Sequence, residues 1–370
     1  MDLSDRRAAV ARRMAQEGVD LLIAASSGFR PYDFPDPVAF LSGYQSLGES
    51  LFVLDRDGAA TLIVSPAWDG ERATECARCI DAIAVDDVAR ELAKRIAHNG
   101  NARIATAGYG TIAPPFAARL GAVAATMPAP FDDSLYAASG RKTDEEIANA
   151  RKATWIAERG FERMIEFAKP GLPECDLAIE VNLTMKALGA DDNFMMMSAQ
   201  PHARGIMPSS TRPLQRGDII LAEFTPGVSG QFIQICRTAV LGPPSAELVE
   251  KYALVVDAMW SGIKAVRPGA RVADVCRGVD RVLEDAGFAE YCRPPHIRRR
   301  GHGFGLGSTW PGDIARDNDI VLAEGDAFVV HPNQYLPGPG YMLCGEPVCV
   351  TASGFEVLTQ TSAALATIDC

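Results

Sequence analysis

The first 140 residues alternate between helical and strand-like patterns of hydrophobic positions. Apolar residues at helical spacing predict helices over residues 6–17 and 88–98. Short apolar runs predict strands over residues 20–25, 50–54, 60–64 and 103–106. Asp and Gly residues at positions 55–58 predict the turn of a hairpin between the second and third of these strands. The pattern therefore indicates an α/β module.

From residue 141 onward, long helical patterns are followed by strand patterns, and this order occurs twice. We expect helices over residues 144–167, from the Pro-Gly turn at 170–171 to about 188, and over 245–266 and 272–286. Strands are predicted over residues 218–224 and 231–241, and the end of the chain is strand-rich. A charged segment at 141–146 precedes the first long helix, so we predict two domains, 1–140 and 141–370.

Composition and charge narrow the range of partners. The chain has 370 residues, 48% hydrophobic and 22% charged, which is typical of a folded globular protein. A net charge of -11 disfavours a nucleic-acid partner. No apolar run approaches the roughly 20 residues of a membrane span. The charged N-terminus is unlike a secretory signal, so we expect a cytoplasmic protein.

Several phrases of the second half carry a family resemblance. They are Arg-Lys-Thr-Asp-Glu-Glu at 141–146, Leu-Gln-Arg-Gly-Asp at 214–218, Arg-Thr at 237–238, Gly-His-Gly-Phe-Gly-Leu-Gly at 301–307, Leu-Ala-Glu-Gly-Asp at 322–326 and Val-Thr-Ala-Ser-Gly at 350–354. In this order they resemble the creatinase, prolidase and methionine-aminopeptidase family (peptidase M24). The first 140 residues are similar to the smaller domain of creatinase and prolidase.

The resemblance implies a fold, an oligomer and a site. The fold is α/β (α+β): an N-terminal creatinase-like α/β domain, then a pita-bread domain whose two pseudosymmetric halves are each helix-helix-strands. Two-domain members commonly form homodimers, which we expect here. The peptidases of this family bind two metal ions through two Asp, one His and two Glu. The matching positions of this chain are Glu223, Gln234, His302, His331 and Gly345, the last beside Glu346.

The residues at these five positions determine which cofactor we expect. Four of the five ligand types are changed, which removes the negative charge that holds two dications close together. We therefore expect no metal and no cofactor. An alternative keeps one divalent metal ion on Glu223, His302 and His331, since two His and one carboxylate suit a single ion with open positions.

The catalytic candidates are His302, His331, Glu223 and His202. His302 lies between glycines, where close approach of a ligand is possible, and His331 precedes a Pro at the end of an apolar strand. Glu223 ends an apolar strand, and a buried carboxylate there requires a partner such as a histidine or a metal. By resemblance His202 is a further proton-transfer candidate, with a surface-loop histidine as the open alternative.

Four other residues are candidates for substrate binding: Gln234, Cys236, Trp310 and Glu346. Cys236 is either a nucleophile activated by a histidine or a buried structural cysteine. The arginines at 298–300 either bind a carboxylate or phosphate group or form a solvated charged run.

These residues favour a metal-independent, creatinase-like hydrolase of a carbon–nitrogen bond in a small polar substrate, with histidine as acid and base. Three alternatives stay open: a mononuclear metal enzyme (hydrolase or lyase), a non-catalytic pita-bread binding protein, and a divergent Xaa-Pro peptidase of the aminopeptidase P type.

Overall fold

The computed structural model describes residues 2–28, 35–77, 80–98, 102–123, 129–305 and 307–370. The chain divides into two units, residues 1–144 with 306–309, and residues 145–305 with 310–370. Among the described residues, no helix is both long and apolar enough to cross a membrane.

The first unit is a sheet with helices on both faces. Its helices are α1 (Leu3–Glu17), α2 (Pro37–Ser42), α3 (Gly70–Cys76), α4 (Val88–His98), α5 (Pro114–Val123) and α6 (Asp132–Ser139). Its strands are β1 (Leu21–Ser26), β2 (Ser50–Asp55), β3 (Ala60–Val64), β4 (Asp81–Ala84), β5 (Ile104–Ala107) and β6 (Ala129–Pro130). The sheet order is β4-β3-β2-β1-β5-β6, with β2 antiparallel to both β1 and β3.

Strand β1 shows why this sheet is covered on both sides. Leu22 and Ala24 pack into one apolar cluster, whereas Leu21, Ile23 and Ala25 pack into another. Because successive side chains of a strand point to opposite faces, a continuous apolar run is buried only when both faces are covered. The predicted hairpin between β2 and β3 is confirmed, and Gly58 in its turn has a φ of 94°.

The second unit contains four long helices and three sheets among its described residues. The helices are α7 (Asp144–Phe167), α8 (Glu174–Ala187), α9 (Ala246–Lys264) and α10 (Val272–Asp285). The strands are β7 (Asp192–Gln200), β8 (Ile219–Val228), β9 (Gln231–Phe232), β10 (Ile235–Leu241), β11 (Gly301–Gly303), β12 (Ala327–Val330), β13 (Gln334–Leu336), β14 (Gly340–Met342), β15 (Glu346–Thr351), β16 (Gly354–Val357) and β17 (Ala366–Ile368).

The repeated order of helix, helix and strands predicted from the sequence is confirmed. Helices α7 and α8 precede the sheet β17-β10-β8-β7, to which β9 adds by pairing with β8. Helices α9 and α10 precede the sheet β11-β12-β15-β16, and β13 pairs with β14. The two larger sheets meet where Cys236 and Gly345 exchange backbone hydrogen bonds of 3.2 and 3.1 Å.

The strand predicted over residues 231–241 is interrupted at Ile233 and Gln234. Pairing of Gly227 with Phe232 and of Phe224 with Ile235 keeps one register across the gap, which places Ile233 opposite Pro226. Proline has no N–H to donate to the ladder, so the pair keeps only the bond of 3.4 Å from the Ile233 N–H to the Pro226 carbonyl oxygen, without a shift of register. Gln234 therefore keeps the strand's alternation but lies outside its regular ladder.

Candidate active site

Glu223 on β8, Cys236 on β10 and Gln234 just before β10 lie on one face of their sheet. Glu223 lies directly opposite Cys236, and Gln234 precedes Cys236 by two residues in the same register. Gln234 and Cys236 are buried, while Glu223 is partly exposed. Three polar side chains thus meet on a face that is otherwise part of the apolar core.

His302 on β11 is held from both sides of its ring. Its Nδ1 lies 2.9 Å from the carbonyl oxygen of Gly303, and its Nε2 lies 3.2 Å from Oε1 of Gln234. Both oxygens are acceptors, so this arrangement requires a proton on each ring nitrogen; a neutral ring requires the Gln234 amide to turn and donate its N–H. The hydrogen bond therefore couples the protonation state of His302 to the orientation of Gln234.

His331 follows β12 and meets His302 edge to face. The ring centroids are 5.1 Å apart and the planes lie at 69°. Burial lowers the pKa of His331 well below its ordinary value, and the neighbouring His302 and Arg299 lower it further. Among the described residues, Nδ1 of His331 has no hydrogen-bond partner. His331 is therefore a neutral imidazole at pH 7, buried beside a second histidine.

Asn333 is a site residue that the sequence analysis missed. Its Nδ2 donates to Oε1 of Glu223 at 3.1 Å, and its Oδ1 accepts from the backbone N–H of Cys344 at 3.4 Å. Its φ of 37° lies in the left-handed region, which Asn tolerates better than most residues. An Asn two residues after His331 was the available signal, because such a residue can turn the chain and still offer an amide.

Tyr341 on β14 is a second residue that the sequence analysis did not identify. Burial raises the pKa of its phenol, and the charge of Glu223 raises it further. The phenol is therefore protonated at neutral pH and close to the Glu223 carboxylate. No local motif marks this tyrosine, since β13 and β14 bring it to the site through the pairing of Tyr335 with Tyr341.

Cys236 has the properties of a buried thiol. Burial raises its pKa well above the ordinary value, and the charge of Glu223 acts in the same direction. The thiolate is the nucleophilic form of cysteine. The environment of Cys236 therefore disfavours the nucleophile that the sequence left open.

Glu346 lies on β15 with its carboxylate paired inside the protein. It forms an ion pair of 3.0 Å with Arg237 and accepts a hydrogen bond of 2.5 Å from Oγ1 of Thr359. Burial raises the pKa of Glu346, and the Arg237 charge opposes that rise. These contacts hold the carboxylate that was predicted to bind substrate.

His202 and Trp310, also predicted as site residues, make contacts of their own. His202 is exposed, lies 3.0 Å through Nδ1 from the carbonyl oxygen of Gly338, and meets Tyr335 edge to face at 6.1 Å. Trp310 donates its indole N–H to Oδ1 of Asp326 at 3.0 Å. The structure therefore gathers Glu223, Gln234, Cys236, His302 and His331, whereas these contacts of His202 and Trp310 are made with other residues.

Comparison with known proteins places this site in a family. The sequence profile of the family described as Metallopeptidase family M24 matches residues 148–352. A protein named probable dipeptidase PepE, from Mycobacterium bovis, is 32% identical over 219 residues, which cover 58% of this chain and 56% of that protein. A peptidase without assigned function from Staphylococcus aureus is 29% identical over 226 residues, 59% of this chain and 62% of that protein. The matches thus span less than two thirds of these relatives.

Solved structures extend the likeness over the whole chain. A dipeptidase PepE from Mycobacterium ulcerans matches with a TM-score of 0.84 and 25% identity, over 100% of this chain and 98% of that one. A prolidase from Pyrococcus horikoshii matches with a TM-score of 0.84 and 22% identity, over 98% and 99%. The pita-bread fold predicted from the sequence is confirmed.

The family match changes the cofactor that is expected for this chain. The expectation of a site without any cofactor is wrong, because the matching family is one of metallopeptidases, for which divalent metal ions are the implied cofactor. The residues of this chain do not fit a two-ion cluster. No group of three or more His, Cys, Asp or Glu side chains arranged to hold a metal ion occurs among the described residues, so the alternative set of Glu223, His302 and His331 is not formed either.

Gly345 gives the steric reason for this misfit. A Cβ atom built on Gly345 would lie 2.7 Å from Cβ of His331 and 3.0 Å from Sγ of Cys236. The space in which the resemblance expects a glutamate ligand is filled by those two side chains. The chain thus differs from the family's metal site in its residues, although it shares the family's fold.

The profile match covers more than half of the sequence, and the structural matches cover both units. Together they show that this chain belongs to metallopeptidase family M24.

Proposed function

We propose that this protein is a peptide hydrolase that cleaves the amide bond of a dipeptide or a similarly small amide at the site formed by Glu223, Gln234, His302 and His331. Family membership supports a hydrolase, and the dipeptidases among its relatives support the Xaa-Pro peptidase alternative over the creatinase-like interpretation.

The observation that carries the proposal is the contact between His302 and His331. A neutral buried imidazole has one unprotonated ring nitrogen, so His331 can take a proton from the water that attacks the amide carbon. His302 can hold a proton on Nε2 towards Gln234 and deliver it to the leaving nitrogen as the carbon–nitrogen bond breaks. The two histidines lie close enough to serve one substrate from adjacent positions.

Glu223 supports a substrate with a free amino group. Its carboxylate is oriented by Asn333, and burial raises the pKa values of its neighbours Tyr341 and Cys236, with the Glu223 charge acting in the same direction, so both neighbours are neutral at pH 7. A substrate ammonium group placed among these neutral neighbours would be attracted to that charge. We therefore infer that Glu223 binds the α-amino group of the peptide.

A panel of substrates tests this function. The full-length protein is incubated, with and without added Mn²⁺, with Xaa-Pro and other dipeptides, their N-acetylated forms and creatine, and products are followed by mass spectrometry. We expect cleavage of free dipeptides and at least about tenfold lower kcat/KM after N-acetylation, because a charged hydrogen bond is worth roughly 1.5–3 kcal/mol. Glu223→Gln should abolish this preference.

Two variants separate catalysis from folding. His331→Asn removes the buried base and should lose activity, while His296→Asn changes an exposed histidine stacked on Tyr335 and should keep it. Cleavage of creatine alone would support the creatinase-like alternative. Absence of any amide hydrolysis would overturn the proposal.

We also propose the homodimer implied by the family resemblance. Light scattering of the purified protein measures it, and a mass of one 39.6 kDa chain would contradict it.

A further inference from the structure

A cavity of about 430 Å³ in the second unit concentrates positive charge in a protein of net charge -11. It is lined by five arginines, Arg293, Arg298, Arg299, Arg300 and Arg316, and by only two acidic residues. A volume of this size is in the range of small-ligand pockets. The cavity lies between α10 and the segment that leads into β11, so it is distinct from the face that carries Glu223.

Arg300 forms the floor of this cavity and is incompletely paired. Its side chain is 1% exposed, and Nε donates to Oδ1 of Asp280 at 2.6 Å. Nη1 donates to the carbonyl oxygen of Pro332 at 2.9 Å and to Oε1 of Gln334 at 2.8 Å. Among the described residues, Nη2 has no acceptor. A buried guanidinium N–H without a partner is unfavourable, and an acceptor bound in the cavity would satisfy it.

The acidic group nearest to Arg300 is already shared. Asp280 also accepts from Nε of Arg316 at 2.6 Å, and Arg316 reaches Glu284 at 2.5 Å. Over the whole lining, five arginines face two aspartates, Asp280 and Asp317, which leaves the lining positive. This arrangement favours an added anion in the cavity.

Exposed arginines at the mouth of the cavity add to this positive charge. Arg293 and Arg298 are exposed, and neither has a side-chain partner within the described parts of the chain. Arg299 differs, because it pairs with Asp313 at 2.8 Å. The mouth of the cavity therefore holds two guanidinium groups able to close over a ligand that reaches Arg300.

We propose that this cavity is a binding site for an oxyanion, either a phosphate group or a carboxylate group. Guanidinium groups bind both through paired, charge-assisted N–H···O hydrogen bonds. Arg300 is the buried anchor, and Arg293 and Arg298 cover the ligand. The site is independent of the proposed hydrolysis, since its occupancy is measured without turnover.

Calorimetric titration of the full-length protein tests the site. Inorganic phosphate and succinate are titrated separately at constant ionic strength, set with sodium chloride. We expect saturable binding of at least one of the two, and the stronger one identifies the group. The double variant Arg293→Gln/Arg298→Gln should weaken that binding at least about tenfold, the effect of losing one charge-assisted hydrogen bond.

A matched variant controls for overall charge. Arg277→Gln/Arg281→Gln removes the same two charges from exposed positions of α10 that do not line the cavity. It should bind as the wild type does. Equal weakening in both double variants, unchanged affinity in the cavity variant, or no saturable binding of either anion would each overturn the proposal.

Discussion

Arg237 and Glu346 form an ion pair of 3.0 Å between Nη2 and Oε1 in which the two side chains are 0% and 2% exposed. Nη1 of Arg237 also donates to the carbonyl oxygens of Cys236 and Gly345, each at 3.0 Å. The pair thus braces the two residues through which the larger sheets of the second unit are joined. This buried ion pair therefore helps to fix the positions of Cys236 and Gly345 beside the candidate site.

Breaking the ion pair of Arg237 and Glu346 should lower the free energy of unfolding. Glu346→Gln leaves the Arg237 charge buried without a counter-ion, and such a change destabilises proteins by about 3–5 kcal/mol. Urea denaturation measures the loss. The double variant Arg237→Met/Glu346→Gln should lose less than the sum of the two single variants, because no uncompensated charge remains. Additive losses would contradict the coupling.

Substitution of Asn333 should separate its two roles. Asn333→Ala and Asn333→Gly both remove the amide that orients Glu223. Both should therefore lower kcat/KM by roughly ten- to a hundredfold, which corresponds to the loss of one or two charge-assisted hydrogen bonds. Only the alanine variant should lose a further ~1 kcal/mol of stability, since glycine adopts a positive φ without strain. Peptide kinetics and urea denaturation give the two readouts, and full activity in the glycine variant would contradict the positioning role.

Gly345→Ala should disturb the site sterically. The added methyl group would lie 2.7 Å from Cβ of His331, so the backbone or His331 must move. Overpacking of this kind destabilises by about 1–3 kcal/mol, and thermal or urea unfolding detects it. Gly354→Ala is the matched control, because a Cβ there meets nothing within 4 Å. Equal stability of the two variants would show that the contact relaxes freely.

The buried His331 should make stability depend on pH in a defined window. Its pKa is lowered in the folded protein, so below about 6.5 the unfolded chain binds a proton that the folded protein does not. The free energy of unfolding should therefore fall as the pH drops from 7, by up to about 1.4 kcal/mol per pH unit from this residue. Denaturation of wild type and His331→Asn at pH 5, 6 and 7.5 isolates the contribution. Parallel pH profiles would contradict it.

Regular elements were predictable where the hydrophobic pattern is long and uniform. The helices predicted over residues 88–98 and 144–167 have those bounds in the structure, since helical spacing of apolar residues reports the buried face directly. The predicted strand over residues 231–241 is divided because Pro226 lies opposite Ile233, and a partner across a sheet is invisible to local pattern.

The candidate site was predictable only where a motif marks it. His302 and His331 were identified from the family resemblance together with their glycine and proline neighbours, and the structure places their rings in contact. Asn333 and Tyr341 were missed because their positions depend on a left-handed turn and on the pairing of β13 with β14. The burial of Glu346 against Arg237 likewise depends on distant parts of the chain.

The close packing of Gly345 against His331 and Cys236 makes the evolution of these positions interdependent. A larger residue at 345 would meet the Cβ atom of His331, which every residue except glycine carries, so the backbone around 345 or 331 must move to admit it. A single replacement at 345 therefore lowers stability unless the backbone adjusts. The three positions are therefore expected to change together with the backbone that carries them when the pocket acquires a different chemistry.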